Sequence, residues 1–589
     1  MEVTRTFDLL ERYEQNFLKT EALSVKKNGK WTHYTTLEFI DTCYQTAYGL
    51  LESGIKKGDK ILTATNNRPE WNFIDHAMSM CGIIHVPVYT SLNEEEYTYI
   101  IEHSEAKMAL VADKRLYDLL LPGCKKAGID KKLLTFDAIE GIPAFSTLIE
   151  TGKKTKDKHE KTLQETKASI QPGDFSSLLY TSGTTGKPKG VMLSHENLVK
   201  NFILAAGVFK LSPDDKYLSI LPLCHVGGRL GNYQTQYSGS GIYYPENMGA
   251  FVQAMKDIGA NGFDAVPRVL EKVYDNITAR GRQLSGMKKK MFFWAVNLGF
   301  KYNVYGKNGW WYRKRLAIAD KLIFTKWREA LGNEVRLVGC GGASLQPKLE
   351  RLFWAAGVKI INMYGLTETS PIITISSQEK GKIKLGTVGR LIDGVELKIA
   401  EDGEILCRGH NVMLGYYKDE KLSREVFDEE GWFHTGDIGK LEDGIFLSVT
   451  DRKKEIFKLS NGKYIAPQYI EGIFKQSQFI DQLMVVGEQQ KFASAIISPA
   501  FDQLKAWADE NGVSFSSNEE LICMPEVQRF IQKETDRFNK ALSKHEQLLR
   551  FRLVKDVWSP DSGELSPTLK LKRRQVNEKY KLLIDSIYN

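Results

Sequence analysis

The sequence predicts a mixed α/β (α+β) protein in two parts: a large, multi-layered N-terminal domain and a small α+β C-terminal domain. Three observations carry this reading. The chain has 589 residues, more than one hydrophobic core usually supports. Its opening third alternates short apolar runs with amphipathic stretches, the pattern of strands packed under helices. Its last fifth mixes the two patterns again, beyond a series of glycine-rich motifs.

The elements follow in order. KILTATNN (60–67), RPEWNFIDHAMSMCG and IIHVPVYT (83–90) read as strand, helix and strand. The stretch TGKKTKDKHEKTLQETKAS (151–169) holds six lysines and little that could build a core, so a solvated connection is expected there. SSLLY reads as a strand, and VMLSHENLVKNF as a strand followed by a helix that begins near Ser194. VKIINM (358–363) is expected to be a buried strand, with the polar set Tyr364–Thr369 just past its end.

Composition excludes several classes. Hydrophobic residues make up 42% and charged residues 26%, an ordinary globular balance. No apolar run is long enough for a spanning helix, and the acids and aromatics of the opening residues do not suit a signal peptide. Seven scattered cysteines without a CxxC pair argue against disulfides or a zinc site, so reduced thiols in a cytoplasmic protein are expected. Residues 281–330 carry a net +10 against +8 for the whole chain, which leaves the remainder at −2. One local basic patch, rather than a nucleic-acid-binding surface, fits that distribution.

The strongest motif is Tyr180-Thr181-Ser182-Gly183-Thr184-Thr185-Gly186-Lys187-Pro188-Lys189-Gly190. Its glycines allow close backbone approach, its hydroxyls donate hydrogen bonds, and Lys187 and Lys189 bring positive charge, which together suit a polyphosphate. Two residues separate Gly183 from Gly186 where a Walker loop needs four, and Pro188 follows the lysine, so the spacing excludes that loop.

This loop resembles the signature of the adenylate-forming superfamily, which includes acyl-CoA synthetases, luciferase and peptide-synthetase adenylation domains. Later motifs agree with the resemblance, which extends over almost the whole chain. It implies an adenylation domain over 1–453 and a mobile C-terminal domain over 454–589, turning about Lys454. It implies that Thr181, Ser182, Gly183, Thr184, Thr185, Gly186, Lys187 and Lys189 hold phosphates. Gly341, Gly342 and Ala343 would border adenine, Tyr364 and Gly365 would lie against it, and Thr367 would contact the α-phosphate. Glu368 would hold Mg²⁺, a hard cation that prefers carboxylate oxygen. Asp437, in GWFHTGD, would accept from the ribose hydroxyls, joined by Arg452 of DRKKE. His225, in LPLCHVGG, would flank the acyl site. Lys570, in PTLKLKRR, would be the catalytic lysine, in company with Glu368, Thr181 and His225; more often a glycine precedes that lysine, where Leu569 stands here.

The block from Trp432 to Glu471 resembles that of long-chain acyl-CoA synthetases, in which Gly462 lies beside the pantetheine arm of CoA. The implied activity is ATP- and Mg²⁺-dependent conversion of a long-chain fatty acid to acyl-AMP and then acyl-CoA. Two alternatives stay open: a fatty acyl-AMP ligase with a non-CoA acceptor, and a non-catalytic adenylate-binding protein. In the segment 281–330, Trp310 and Trp311 beside Arg313-Lys314-Arg315 suit peripheral contact with an anionic membrane surface; helices with a solvated basic face are the alternative.

Overall fold

A computed structural model describes residues 2–181, 187–566 and 569–589. The chain forms two compact units. The larger comprises Met1–Leu270, Ala279–Leu397 and Cys407–Phe433, and the smaller comprises Glu271–Thr278, Lys398–Leu406 and His434–Asn589.

The larger unit is built on two sheets. In the first, the order is Gly415–Tyr416, Lys189–Ser194, Phe175–Thr181, Ile84–Val88, Lys60–Ala64, Met108–Val111 and Leu133–Thr135. Its strands from Phe175–Thr181 to Leu133–Thr135 run parallel, and the two on the opposite edge are antiparallel. Parallel strands are buried on both faces, which is why Leu62, Ala64, Val86 and Leu110 read as unbroken apolar runs. The second sheet places Lys359–Gly365, Leu337–Cys340, Gly262–Ala265, Lys216–Leu218, Gly241–Tyr244 and Leu23–Lys27 side by side in parallel. Ligands of such sheets bind beyond the carboxyl ends of the strands. The strand Lys359–Gly365 includes Tyr364 and Gly365, which the sequence placed just past its end; pairing with Ile372–Ile375 extends it.

Residues 151–169 are not a connection. They continue a helix, Phe145–Ser169, that packs along the helix Thr36–Glu52. Phe145, Leu148, Gly152 and Leu163 form its thin buried face, while the lysines stay in water. Two glycines let the helices approach closely. A Cβ at Gly152 would sit 1.7 Å from the Gln45 carbonyl oxygen, and one at Gly49 would sit 2.2 Å from that of Leu148.

The smaller unit packs helices Pro467–Phe474, Phe501–Glu510 and Pro525–Asn539 on a sheet of Ile480–Val486, Ser494–Pro499 and Arg550–Leu553. Its core includes Ile470, Phe474, Leu483, Ile497, Leu504 and Ile531, each fully buried. A hairpin of Phe433–Glu442 and Phe446–Arg452 precedes them.

Candidate active site

Two paired strands flank the phosphate-loop motif. Phe175–Thr181 and Lys189–Ser194 pair antiparallel, with Thr181 opposite Lys189 and Tyr180 opposite Gly190. Ser182, Gly183, Thr184, Thr185 and Gly186 lie outside the described residues. At the far end Ser194 caps the next helix, His195–Phe209, accepting from the Asn197 backbone in a capping box worth about 1 kcal/mol. Lys187 Nζ lies 5.4 Å from the Tyr99 ring centre, and Lys189 Nζ lies 5.5 Å from that of Tyr416, so both ammoniums sit near aromatic faces.

Beside the strand Lys189–Ser194 lies the turn Thr367–Thr369, immediately after Tyr364 and Gly365. Only glycine fits at position 365, because a Cβ there would sit 1.6 Å from the Pro371 carbonyl oxygen. Thr369 fastens the turn, accepting from the Leu366 N–H at 2.9 Å and donating to the Pro371 carbonyl at 2.8 Å. Glu368 is held at both ends. Its carbonyl accepts from the Met413 N–H at 2.9 Å, and its Oε1 accepts from the Tyr416 hydroxyl at 2.9 Å. Tyr416, which the sequence reading missed, pairs with Val191 as part of the sheet edge. It therefore joins the loop hairpin to the carboxylate.

This arrangement fits Mg²⁺. Glu368 offers an oriented carboxylate, and no group of three or more acidic, histidine or cysteine side chains among the described residues builds a cage of its own. Mg²⁺ is commonly held by one or two carboxylates together with substrate phosphates. Gly341, Gly342 and Ala343 follow the strand Leu337–Cys340 directly. Gly342 has φ +80°, a left-handed conformation that a side chain would strain.

His225 is half-buried at the start of the helix Val226–Ser238, where its Nδ1 accepts from the Gly227 N–H at 3.0 Å. Four residues on, Arg229 is fully buried and donates to Ser177 at 2.7 Å, to Tyr233 at 3.0 Å and to Asp75 Oδ1 at 2.6 Å. His85 Nδ1 lies 2.6 Å from that same oxygen, and its Nε2 lies 2.7 Å from the Thr63 hydroxyl. Burial alone would raise the Asp75 pKa, but the Arg229 charge and the His85 hydrogen bond outweigh it and hold the carboxyl well below its usual range. Burial lowers that of His85. This network anchors the helix that His225 begins, and no sequence pattern marks it.

In the smaller unit, two expected ribose contacts meet across the hairpin. Asp437 lies opposite Arg452, and Arg452 Nε donates to Asp437 Oδ1 at 2.9 Å. Lys453 reaches Asp402 at 2.6 Å and Glu404 at 2.8 Å, and Lys454 is exposed in the following turn. Gly462 stands in the tight turn between Phe457–Lys458 and Tyr464–Ile465. A Cβ there would meet nothing within 4 Å, so its φ of +82° calls for glycine rather than crowding within the protein.

Lys570 is exposed on a turn in which the Ser566 N–H donates to its carbonyl at 2.7 Å and its own N–H reaches the Ser566 hydroxyl at 3.0 Å. Leu569 has φ +60°, which explains why glycine suits the position before the lysine. The leucine side chain packs against the cluster around Trp558 and Val576, offsetting the strain. Arg573 then fixes the segment, with 2.6 Å contacts to Glu455 and to Glu471.

The two sheets, the strands flanking the glycine-rich motif and the oriented carboxylate beside them suit an α/β enzyme that binds a nucleotide. Comparison with known proteins names the class. The family described as AMP-binding enzyme matches residues 10–417, and its C-terminal domain matches 454–589. The chain belongs to the AMP-binding enzyme family. The long-chain-fatty-acid–CoA ligase FadD15 of Mycobacterium bovis is 32% identical over 95% of this chain and 93% of that one. The peroxisomal long chain acyl-CoA synthetase 7 of Arabidopsis thaliana is 31% identical, covering 98% and 85%. Fatty acyl-CoA synthetase A of Dictyostelium discoideum is 30% identical, covering 99% and 91%. Among solved structures, an anthranilate CoA ligase bound to anthranoyl-AMP shares the fold with a TM-score of 0.72 at 19% identity, covering 98% of each chain. The adenylation domain of a Segniliparus rugosus carboxylic acid reductase gives 0.74 at 20%, covering 99% and 94%.

Proposed function

We propose that this enzyme activates a long-chain fatty acid with ATP and transfers the acyl group to coenzyme A. The observation that carries the reading is the joining of Lys189, Tyr416 and Glu368 at the base of the loop hairpin, in a chain whose relatives are named long-chain acyl-CoA synthetases.

In the first step a carboxylate oxygen of the acid bonds to the α-phosphorus of ATP, the bridging bond to the β-phosphate breaks, and pyrophosphate leaves. Thr181, Lys187 and Lys189 hold the phosphates with the loop residues, and Thr367 contacts the α-phosphate. Glu368 would hold Mg²⁺, which when bound would neutralise phosphate charge. Lys570 pairs with carboxylate and phosphate oxygens as charge develops between them. Tyr364 and the Gly341–Ala343 turn receive adenine, and Asp437 and Arg452 the ribose. In the second step the domain from 454 onward turns about Lys454 and brings Gly462 to CoA. The thiol sulfur then bonds to the acyl carbonyl carbon, its proton passes to solvent, and AMP leaves.

A carrier-directed ligase is disfavoured by relatives named for CoA. A non-catalytic binder is disfavoured by the retention of Glu368, Asp437 and Lys570. The deciding experiment measures AMP and pyrophosphate across an acyl-chain series, with and without CoA, for the wild type and Lys570→Ala. Long acids should give CoA-dependent AMP, and the variant should lose adenylation. Pyrophosphate without thioester would discard CoA as acceptor, and no turnover with any acid would discard the enzyme reading.

The segment 281–330 supports action at a membrane surface, in the cytoplasm. No helix among the described residues is long and apolar enough to cross a membrane. Trp310 and Trp311 are 52% and 73% exposed, and Lys314 Nζ lies 3.9 Å from the Trp310 ring centre. Aromatic side chains beside cations suit an anionic lipid interface. Co-sedimentation with anionic vesicles should fall on Trp310→Ala/Trp311→Ala substitution; equal binding by both proteins would reject this contact.

A further inference from the structure

Three polar side chains lie buried beneath the helix that His225 caps. Asp264 comes from the strand Gly262–Ala265, Tyr217 from Lys216–Leu218 and Gln234 from the helix itself, and they are 4%, 2% and 0% exposed. Asp264 Oδ1, the Tyr217 hydroxyl and both amide atoms of Gln234 have no hydrogen-bond partner among the described residues. They are neighbours: Tyr217 stands close enough to Asp264 and Gln234 for each to act on its ionisation. Burial pushes the Asp264 carboxyl up to about 7.

Two glycines make room for this carboxyl. A Cβ at Gly231 would sit 1.9 Å from Asp264 Oδ2, and one at Gly339, which pairs with Asp264 in the sheet, would sit 2.0 Å from Oδ1. The neighbours Phe263 and Ala265 are apolar and buried, so a core role at 264 needs no carboxyl. Each unmet buried polar atom costs about 1–3 kcal/mol, and among the described residues the approach of Tyr217 to Asp264 and Gln234 offsets only part of it.

The cluster's position says what could. Gly231 lies six residues beyond His225, roughly 9 Å along the helix. Gly339 lies two residues before Gly341, roughly 7 Å along its strand. An acyl chain that entered beside His225 and extended roughly 9 Å along the helix would reach the level of Gly231.

We propose that Asp264, Gln234 and Tyr217 form a polar subsite for a hydroxyl group on the chain of the fatty acid, so that the enzyme selects hydroxylated acids over unsubstituted ones. A hydroxyl both donates and accepts. It can give its hydrogen to Asp264 Oδ1 or to the Gln234 carbonyl, and accept from Tyr217 or from the Gln234 amide. A purely apolar chain leaves all of these unpaired. The inference rests on the reading of the site as an acyl-activating one.

The test measures kcat/KM for CoA-dependent AMP formation with hexadecanoic acid and with its monohydroxy derivatives, one for each hydroxyl position. A site built to bond a hydroxyl should favour one narrow range of positions at least tenfold over the parent acid. Asp264→Leu and Gln234→Leu should abolish that ratio, and Tyr217→Phe should reduce it. The ratio is taken within each variant, so a general loss of activity cancels, and the near-isosteric Asp264→Asn covers any failure of Asp264→Leu to fold. Wild-type turnover of hexadecanoic acid equal to or above that of every hydroxy acid would overturn the subsite and leave the cluster as a seat for water. A preference unchanged in the variants would overturn it as well. Absence of AMP with every acid would instead remove the acyl-activating reading beneath it.

Discussion

Tyr416 donates its hydroxyl hydrogen to Glu368 Oε1 across 2.9 Å, tying the edge strand that pairs with the loop hairpin to the carboxylate beyond the strand Lys359–Gly365. The bond fixes one carboxylate oxygen and orients the other. Glu368→Gln should therefore lower pyrophosphate release by roughly 10²–10³, the range for loss of one preorganised electrostatic group. Tyr416→Phe should give a smaller loss, about tenfold, with a raised Mg²⁺ requirement. An unchanged Mg²⁺ titration in Tyr416→Phe would show that the tyrosine does not position the carboxylate.

At Gly365 a methyl group has no room beside the Pro371 carbonyl oxygen. Gly365→Ala should displace the Thr367–Thr369 turn and reduce adenylation at least a hundredfold, while far-UV circular dichroism stays near that of the wild type. Wild-type kinetics in this variant would mean that the turn relaxes without consequence.

The Arg229–Asp75 pair is fully buried. Removing one partner leaves an uncompensated charge, which costs about 3–5 kcal/mol. Arg229→Met should lower the unfolding midpoint sharply, and the double variant Arg229→Met/Asp75→Asn should recover part of the loss. Asp75 is held below its ordinary 3.8, so its contribution is present above that pH and is lost as the pH falls through the lower folded value. Additive losses in the double variant would argue against a coupled pair.

Asp264 carries the opposite sign. Its carboxyl ionises near 3.8 when unfolded and at about 7 when folded, so the folded protein holds an extra proton between those values. Stability should fall as the pH rises from about 4 to 7, by up to ~1.4 kcal/mol per pH unit from this group. Asp264→Asn should flatten that part of the profile, as read by urea unfolding at successive pH values. A profile identical to that of the wild type would place the proton elsewhere.

Much of the candidate site's backbone was legible in the sequence because its motifs encode local conformational requirements. The hairpin before Lys189, the Tyr364–Thr369 turn, and Gly342 and Gly462 in their turns each depend on conformations that only nearby residues dictate. Helix capping at Ser194 is equally local. The pairing of Asp437 with Arg452 follows from their places on one hairpin.

What only the tertiary structure decided involves partners far apart along the chain. Tyr416 and Glu368 are separated by 48 positions, and Arg229 and Asp75 by 154, so no spacing rule connects them. The lysine-rich stretch 151–169 reads as solvated because most of its side chains are. It is helical because a thin face at Leu148, Gly152 and Leu163 finds the helix Thr36–Glu52. The cluster around Asp264 depends on two distant glycines, Gly231 and Gly339, on either side of its carboxyl. Sequence by itself determines the conformations that each short segment can adopt. Burial and pairing depend on which segments come together, and only the folded chain decides that.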